Sequence, residues 1–338
     1  MRPGRWYAAA VSTPLVHTLA GHWWTLAPRL RRPPPEPASS PWELAVEDPL
    51  VGPVRLTGRL SAPDDPQGVV LVVHGIAGCA EAAYAREAAA AAVRAGLACL
   101  RINLRGNDRL GEDYYHAGLT GDLAAALASP ELAGFRRRYV LGYSLGGHLA
   151  LKLATEPAGE GLAAVAAVCA PLDLAAGQRA FDRPANAVYR RYVMGGMRAI
   201  YGKIAERRGP GAPGLPVPPS ALRRVSTIRE WDERVVAPRH GFAGADDYYA
   251  RMSVAPRLPE LRAPALLVAS AGDPMIPASI VRPVVERNRS PRLTVRWLDA
   301  GGHLGFPRGR DLASEVVAWL RSASEGRGLS EQAGESGR

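Results

Sequence analysis

Apolar positions along this chain follow two rhythms. Val69-Val70-Leu71-Val72-Val73 is an unbroken, mostly β-branched run that ends in His74-Gly75-Ile76-Ala77-Gly78. A strand with no polar alternate positions is covered on both faces, so this run predicts a central strand of a parallel sheet. The alanine-rich stretch from about Glu81 to Ala95 is a strong helix former, and Gly96 closes it. The same alternation continues with a strand over 97–103, a helix near 119–128, a strand over 139–142 and a helix over 145–155. An apolar run at 163–170 then leads into Pro171-Leu172-Asp173. Two more modest strands, 42–47 and 53–60, precede the series. Strands alternating with helices predict an α/β fold, a doubly wound and mostly parallel sheet with helices on both faces.

The rhythm stops at residues 175–260, which are polar, Arg-rich and aromatic, with a proline-glycine stretch at 209–219 and no apolar run of strand length. This block reads as a helical cap inserted into the sheet domain, with 209–219 as a mobile loop. The pattern resumes with a strand at 265–270, a helix near 277–287, a strand at 293–298 and a helix at 312–320. The expected organisation is therefore an N-terminal arm over 1–41, a core built from 42–174 and 261–324, the inserted cap at 175–260 and a disordered tail at 325–338. Within the arm, Arg31-Arg32-Pro33-Pro34-Pro35-Glu36-Pro37 reads as extended chain over the surface, and Trp23, Trp24 and Leu26 read as anchors packing on the body.

A length of 338 residues suits one large α/β domain with an insertion. The formal charge of +10 could point to nucleic acid or a membrane surface, but the basic residues are nearly all scattered arginines, with lysine only at Lys152 and Lys203. That dispersal argues against nucleic acid as a partner and leaves peripheral lipid contact open. Cys79, Cys99 and Cys169 are odd in number, far apart and outside any C-x-x-C spacing, so they read as small buried residues of a reducing compartment. They imply neither disulfide nor metal site. No apolar run is long enough to suggest a membrane span, and Pro14 and His17 interrupt the short apolar segment that follows Arg2 and Arg5. A cytoplasmic protein is the resulting expectation; oligomeric state is not legible.

The candidate chemistry centres on Gly142-Tyr143-Ser144-Leu145-Gly146, a G-x-S-x-G sequence between a predicted strand and a predicted helix. A serine at the tip of such a turn is held in a strained conformation with crowded neighbours, which favours flanking glycines, and the turn aims the first helical N–H groups at the reacting atom. A base is offered by His303, in the glycine-rich loop after the last predicted strand. Two acids are candidates: Asp273, which follows the strand 265–270 in Ala271-Gly272-Asp273-Pro274, and Asp173, which follows the strand before it. Asp273 is favoured, because it lies one strand before His303 in a turn that can project a side chain. The N–H groups of Leu145 and of Ile76, after Gly75, are the expected oxyanion donors. No cofactor or metal is implied.

With these residues the chain resembles the YheT-like branch of the α/β-hydrolase superfamily, which includes ABHD-type lipases and yeast ethyl-ester synthases. The resemblance runs through Gly21-His22-Trp23-Trp24-Thr25-Leu26, His74-Gly75-Ile76-Ala77-Gly78, Asn103-Leu104-Arg105-Gly106 and Tyr115-His116-Ala117-Gly118-Leu119-Thr120-Gly121-Asp122. It continues through the Ser144 turn, Pro238-Arg239-His240-Gly241-Phe242, Asp247-Tyr248-Tyr249, Asp273-Pro274 and Gly301-Gly302-His303-Leu304-Gly305-Phe306. It implies an α/β-hydrolase fold, Ser144 as nucleophile, Asp273 as acid and His303 as base, and hydrolysis of a small-molecule carboxylic ester, with short- to medium-chain acyl groups expected. The alternatives are acyl transfer to an alcohol with the same residues, a perhydrolase-like activity, and a hydrolase-fold ligand-binding protein without catalysis. The absence of an H-x₄-D pattern at His303 favours hydrolysis. Tyr248, Tyr249, Phe242 and Trp231 are candidate lining residues of an acyl pocket, or alternatively core packing of the cap.

Overall fold

Eight strands form a single sheet in the order β1-β2-β4-β3-β5-β6-β7-β8. They are β1 (Ser40–Asp48), β2 (Gly52–Ser61), β3 (Val69–Val73), β4 (Ala98–Asn103), β5 (Arg138–Tyr143), β6 (Ala164–Val168), β7 (Ala265–Ser270) and β8 (Leu293–Leu298). β2 pairs antiparallel with both β1 and β4, and every other pairing is parallel. The computed structural model describes residues 14–27, 35–209, 211–307 and 309–325. The expected tail lies, except for Glu325, outside the described residues, as do Arg31–Pro34 of the proline-rich passage.

Strand β3 illustrates why the unbroken apolar run is central. All five of its residues are buried, and period-2 geometry sends them alternately to opposite layers. Val69, Leu71 and Val73 pack with Leu149, Leu151 and Leu153, whereas Val70 and Val72 pack with Ala88, Ala92, Val316 and Leu320. One face of the sheet is thus covered by helices α2 (Ala83–Arg94) and α9 (Leu312–Ser324), and the other by α3 (Gly121–Leu127), α4 (Leu145–Thr155) and α8 (Ala278–Arg287). Alanine dominates α2, which lets this helix lie close against the sheet.

Among the described residues, those between β6 and β7 form helical segments and loops with no strand. The main segments are α5 (Leu174–Phe181), α6 (Ala187–Arg208) and α7 (Ala245–Met252), joined by shorter turns that include a π-helical turn at Asp232–Val236. Pro238, two residues after that π turn, has no N–H to donate. Within the 209–219 stretch, read above as a mobile loop, Gly214, Leu215 and Val217 make contacts with the body of the protein. The Tyr114 hydroxyl donates to the carbonyls of Gly214 and Val235, the Tyr201 hydroxyl bonds Val217, and Leu215 is buried. Prolines leave few N–H groups to satisfy here, and tyrosine hydroxyls reach the carbonyls instead.

The arm differs from expectation more sharply. Residues Pro14–Leu26 form a helix, α1. Leu19, Trp23 and Leu26 lie on its outer stripe, with Trp23 57% exposed, so Trp23 and Leu26 are not anchors. The inner stripe carries Gly21, His22 and Thr25. A Cβ at Gly21 would lie 1.7 Å from the carbonyl oxygen of Gly272, which makes glycine obligatory where α1 crosses the loop before Asp273. Further along, Glu36 reaches the buried Arg101 of β4.

Candidate active site

Ser144 stands at the junction of β5 and α4 with φ +53° and ψ −118°, a conformation that non-glycine residues rarely adopt. The turn is so tight that a Cβ on Gly146 would sit 2.3 Å from the Val73 carbonyl oxygen, and one on Gly142 would sit 2.0 Å from that of Gly146. Glycine at these positions is therefore a steric requirement of the serine between them. Ser144 is 6% exposed, and its N–H is spent on the Val168 carbonyl of β6.

The structure brings Ser144, Asp273 and His303 together from three strand ends. His303 Nε2 lies 2.9 Å from Ser144 Oγ, and its Nδ1 lies 2.8 Å from Asp273 Oδ2. The other Asp273 oxygen, Oδ1, accepts the N–H groups of Met275 and Ile276 at 2.8 and 2.9 Å. The carboxylate is thereby oriented toward His303. Asp173 is elsewhere engaged: it caps α5, its carboxylate accepting the Ala176 N–H. A residue outside this constellation holds the imidazole loop. Thr25 Oγ1 of α1 accepts the His303 N–H at 2.8 Å while donating to the Gly21 carbonyl. Nothing local marks Thr25, since its partner is 278 positions away.

The loop after β3 is constrained N–H by N–H. Gly75 N–H donates to the Tyr84 hydroxyl, Ala77 N–H to the Tyr115 hydroxyl, and Gly78 N–H to the Gly75 carbonyl. Among the described residues, the N–H groups of Ile76 and Leu145 have no partner. His74 organises this loop. Its Nε2 accepts the Leu104 N–H, so Nδ1 carries the proton and donates to the Gly75 carbonyl at 2.7 Å. Burial lowers its pKa to about 4, which keeps the ring neutral in this role. Burial likewise lowers the pKa of His148, on α4, to about 4; its ring nitrogens lie 2.8 and 3.0 Å from the carbonyl oxygens of Pro171 and Met252, and the single N–H of the neutral ring donates to one of them at a time.

Two cavities meet at Ser144. The first, of about 110 Å³, runs under the insertion and is lined by Leu145, Phe181, Met197, Trp231, Tyr248 and Tyr249 among others. Phe242 is not part of its wall; it packs on Tyr248 and His116 behind it. The second, of about 290 Å³, opens on the opposite side between α1 and α6, and His303 lines this one alone. Cys169, Asp273 and His303 offer three potential metal-ligating atoms within 4.8 Å of one another. In this chain Asp273 and His303 are already committed to each other, and burial pushes the Cys169 thiol well above its ordinary value, away from the thiolate that a metal needs.

One wall residue of the first cavity is titratable and out of character with its setting. Asp232 is 6% exposed, and among the described residues the one hydrogen bond its carboxyl receives comes from the Tyr249 hydroxyl at 2.7 Å. Burial, reinforced by Asp182 and opposed by Tyr249, raises it from 3.8 to about 7. Such a group protonates more readily folded than unfolded, so the folded state loses stability as pH rises from about 4 to 7, by roughly 4 kcal/mol at most. Asp232→Asn keeps an acceptor for Tyr249 and removes the titration. It is expected to unfold several degrees above the parent at pH 8, with the gain gone by pH 4, as read by thermal unfolding across that range.

Comparison with known proteins places these features among hydrolases. The family model described as "Alpha/beta hydrolase family" matches residues 69–315. The chain is 32% identical over 266 residues to the esterase-named protein YheT of Escherichia coli (strain K12), covering 75% of this chain and 74% of that protein. It is 27% identical over 263 residues to medium-chain fatty acid ethyl ester synthase/esterase 2 of Saccharomyces cerevisiae (strain ATCC 204508 / S288c), covering 70% and 58%. The esterase Pf2001 of Pyrococcus furiosus superposes with a TM-score of 0.57 at 17% identity, over 85% of this chain and 93% of that one, a likeness of fold. Among the described residues no helix is long and apolar enough to cross a membrane.

Proposed function

The chain belongs to the YheT-like branch of the α/β hydrolase family and is a carboxylic-ester hydrolase, and from that premise we propose that it cleaves short- to medium-chain acyl esters through an acyl-enzyme on Ser144. One observation carries the proposal: a single imidazole, His303, lies within hydrogen-bond reach of both Ser144 Oγ and Asp273 Oδ2. With Asp273 accepting the Nδ1 proton, Nε2 is free to take the Ser144 proton as Oγ attacks the ester carbonyl. The Ile76 and Leu145 N–H groups, unspent among the described residues, receive the oxyanion. His303 then protonates the departing alcohol, and water attacks the acyl-enzyme by the same route to release the acid.

The cavities give the two halves of the ester separate sides. A leaving alcohol has to reach His303, so it occupies the α1 side, and the acyl chain takes the cavity under the insertion. The volume of that cavity, about 110 Å³, supports short to medium acyl chains. The room beside His303 also supports a second reading, acyl transfer, in which an alcohol held there outcompetes water. p-Nitrophenyl esters of graded acyl length, assayed with and without ethanol, test both. Hydrolysis predicts acid as the product at every ethanol level, and transfer predicts ethyl ester. No turnover of any ester would overturn both.

Thr25 is a positioning residue under this mechanism. Thr25→Val removes the acceptor of the His303 N–H and is expected to lower kcat about tenfold with KM nearly unchanged. Thr25→Ser, which keeps the hydroxyl, is expected to restore the rate.

A further inference from the structure

We propose that Asp232 is a recognition group in the acyl cavity and selects acyl chains that carry a hydroxyl remote from the ester, making hydroxyacyl esters the preferred substrates. The inference rests on the assignment of the cavity under the insertion to the acyl chain. That cavity is otherwise walled largely by aliphatic and aromatic side chains, among them Leu174, Phe181, Met197, Ile200, Ile228 and Trp231. A plain alkyl chain would leave the Asp232 carboxyl buried beside it with one hydrogen bond, and burying a polar group without partners is unfavourable. A carboxyl has about four acceptor positions when ionised and adds a donor when protonated. A hydroxyl complements it in either form, whereas an ammonium group would bring a full charge into the cavity.

Local structure also argues for a ligand-facing role. Asp232 opens the π-helical turn Asp232–Val236, and such turns are frequent at functional sites. Tying Tyr249 to this turn needs only an acceptor, which an asparagine amide would supply without the cost of ionisation. The buried carboxyl, with one hydrogen bond from Tyr249, has acceptor positions left for a ligand in the cavity.

The test separates binding from turnover. Methyl ω-hydroxyalkanoates of increasing length are compared with methyl alkanoates of equal length for binding to the full chain carrying Ser144→Ala, by calorimetry. At the length that fills the cavity the hydroxy ester is expected to bind about tenfold tighter or more. Asp232→Leu in the same background is expected to abolish or reverse this preference, and Asp232→Asn to retain part of it. Equal binding of the paired esters at every length overturns the proposal, and this reading needs no Asp232 variant to fold. A preference left unchanged by Asp232→Leu also overturns it, as does tighter binding of the matched ω-amino ester. The matched p-nitrophenyl esters are assayed with the parent chain. Loss of turnover for all of them, with the binding preference intact, overturns the esterase mechanism and leaves the recognition role standing.

Discussion

Replacing Ser144 by alanine is expected to lower ester turnover by about four orders of magnitude or more while leaving the fold intact. Under the proposed mechanism the hydroxyl is the reacting group, and among the described residues its one protein partner is His303 Nε2. Alanine keeps the Cβ and the backbone geometry at φ +53°, so packing at the turn does not change. The check pairs steady-state kinetics on a p-nitrophenyl ester with thermal unfolding and with labelling by a fluorophosphonate. Labelling of Ser144→Ala as strong as that of the parent would show that the nucleophile lies elsewhere. Asp273→Asn should cost about a thousandfold or more, because an amide can turn its NH₂ toward His303 and so favour the wrong tautomer.

The largest expected loss of stability comes from Arg105→Ala. Arg105 is buried between three carboxylates, with its guanidinium nitrogens 2.7 Å from Asp48, 2.9 Å from Asp113 and 2.7 Å from Asp122. Arg239 of the insertion bridges the first two again, so the network fastens the insertion to the sheet domain. Removing one arginine leaves buried carboxylates undercompensated, which typically costs about 3–5 kcal/mol and here lowers the unfolding midpoint by about 10 °C. Arg229→Ala, which breaks an exposed pair with Asp246, is the control and should not measurably change the midpoint. The network also has a pH signature. Burial alone would raise the Asp48 carboxyl, but hydrogen bonds from Arg105 and Arg239 hold it well below the usual carboxylate range. Its contribution is therefore present above the ordinary carboxylate pKa and lost as pH falls further, so Arg105→Ala should flatten the acid limb of the stability profile.

The alternation of unbroken apolar runs with helix-forming stretches already specified the parallel part of the sheet, because both signals are local and each strand face announces its own burial. The Ser144 turn was legible for a related reason: its steric demands fall on Gly142 and Gly146, within two residues of the serine. Even Asp273 and His303 could be selected, since strand ends in such a sheet gather at one edge.

What the sequence by itself determined, then, is whatever depends on neighbours along the chain: the sheet, the elbow and the family to which they belong. Tertiary structure alone decided the rest, for a physical reason common to each case. Thr25 matters because folding sets it against His303, and Asp173 is spent because α5 happens to begin beside it. Trp23 faces solvent because helical periodicity turned Gly21 and Thr25 inward instead. Asp232 looks like any helix-surface carboxylate in the sequence. Only the cavity around it, assembled from the strand ends and the insertion, converts it into a buried acid titrating near pH 7.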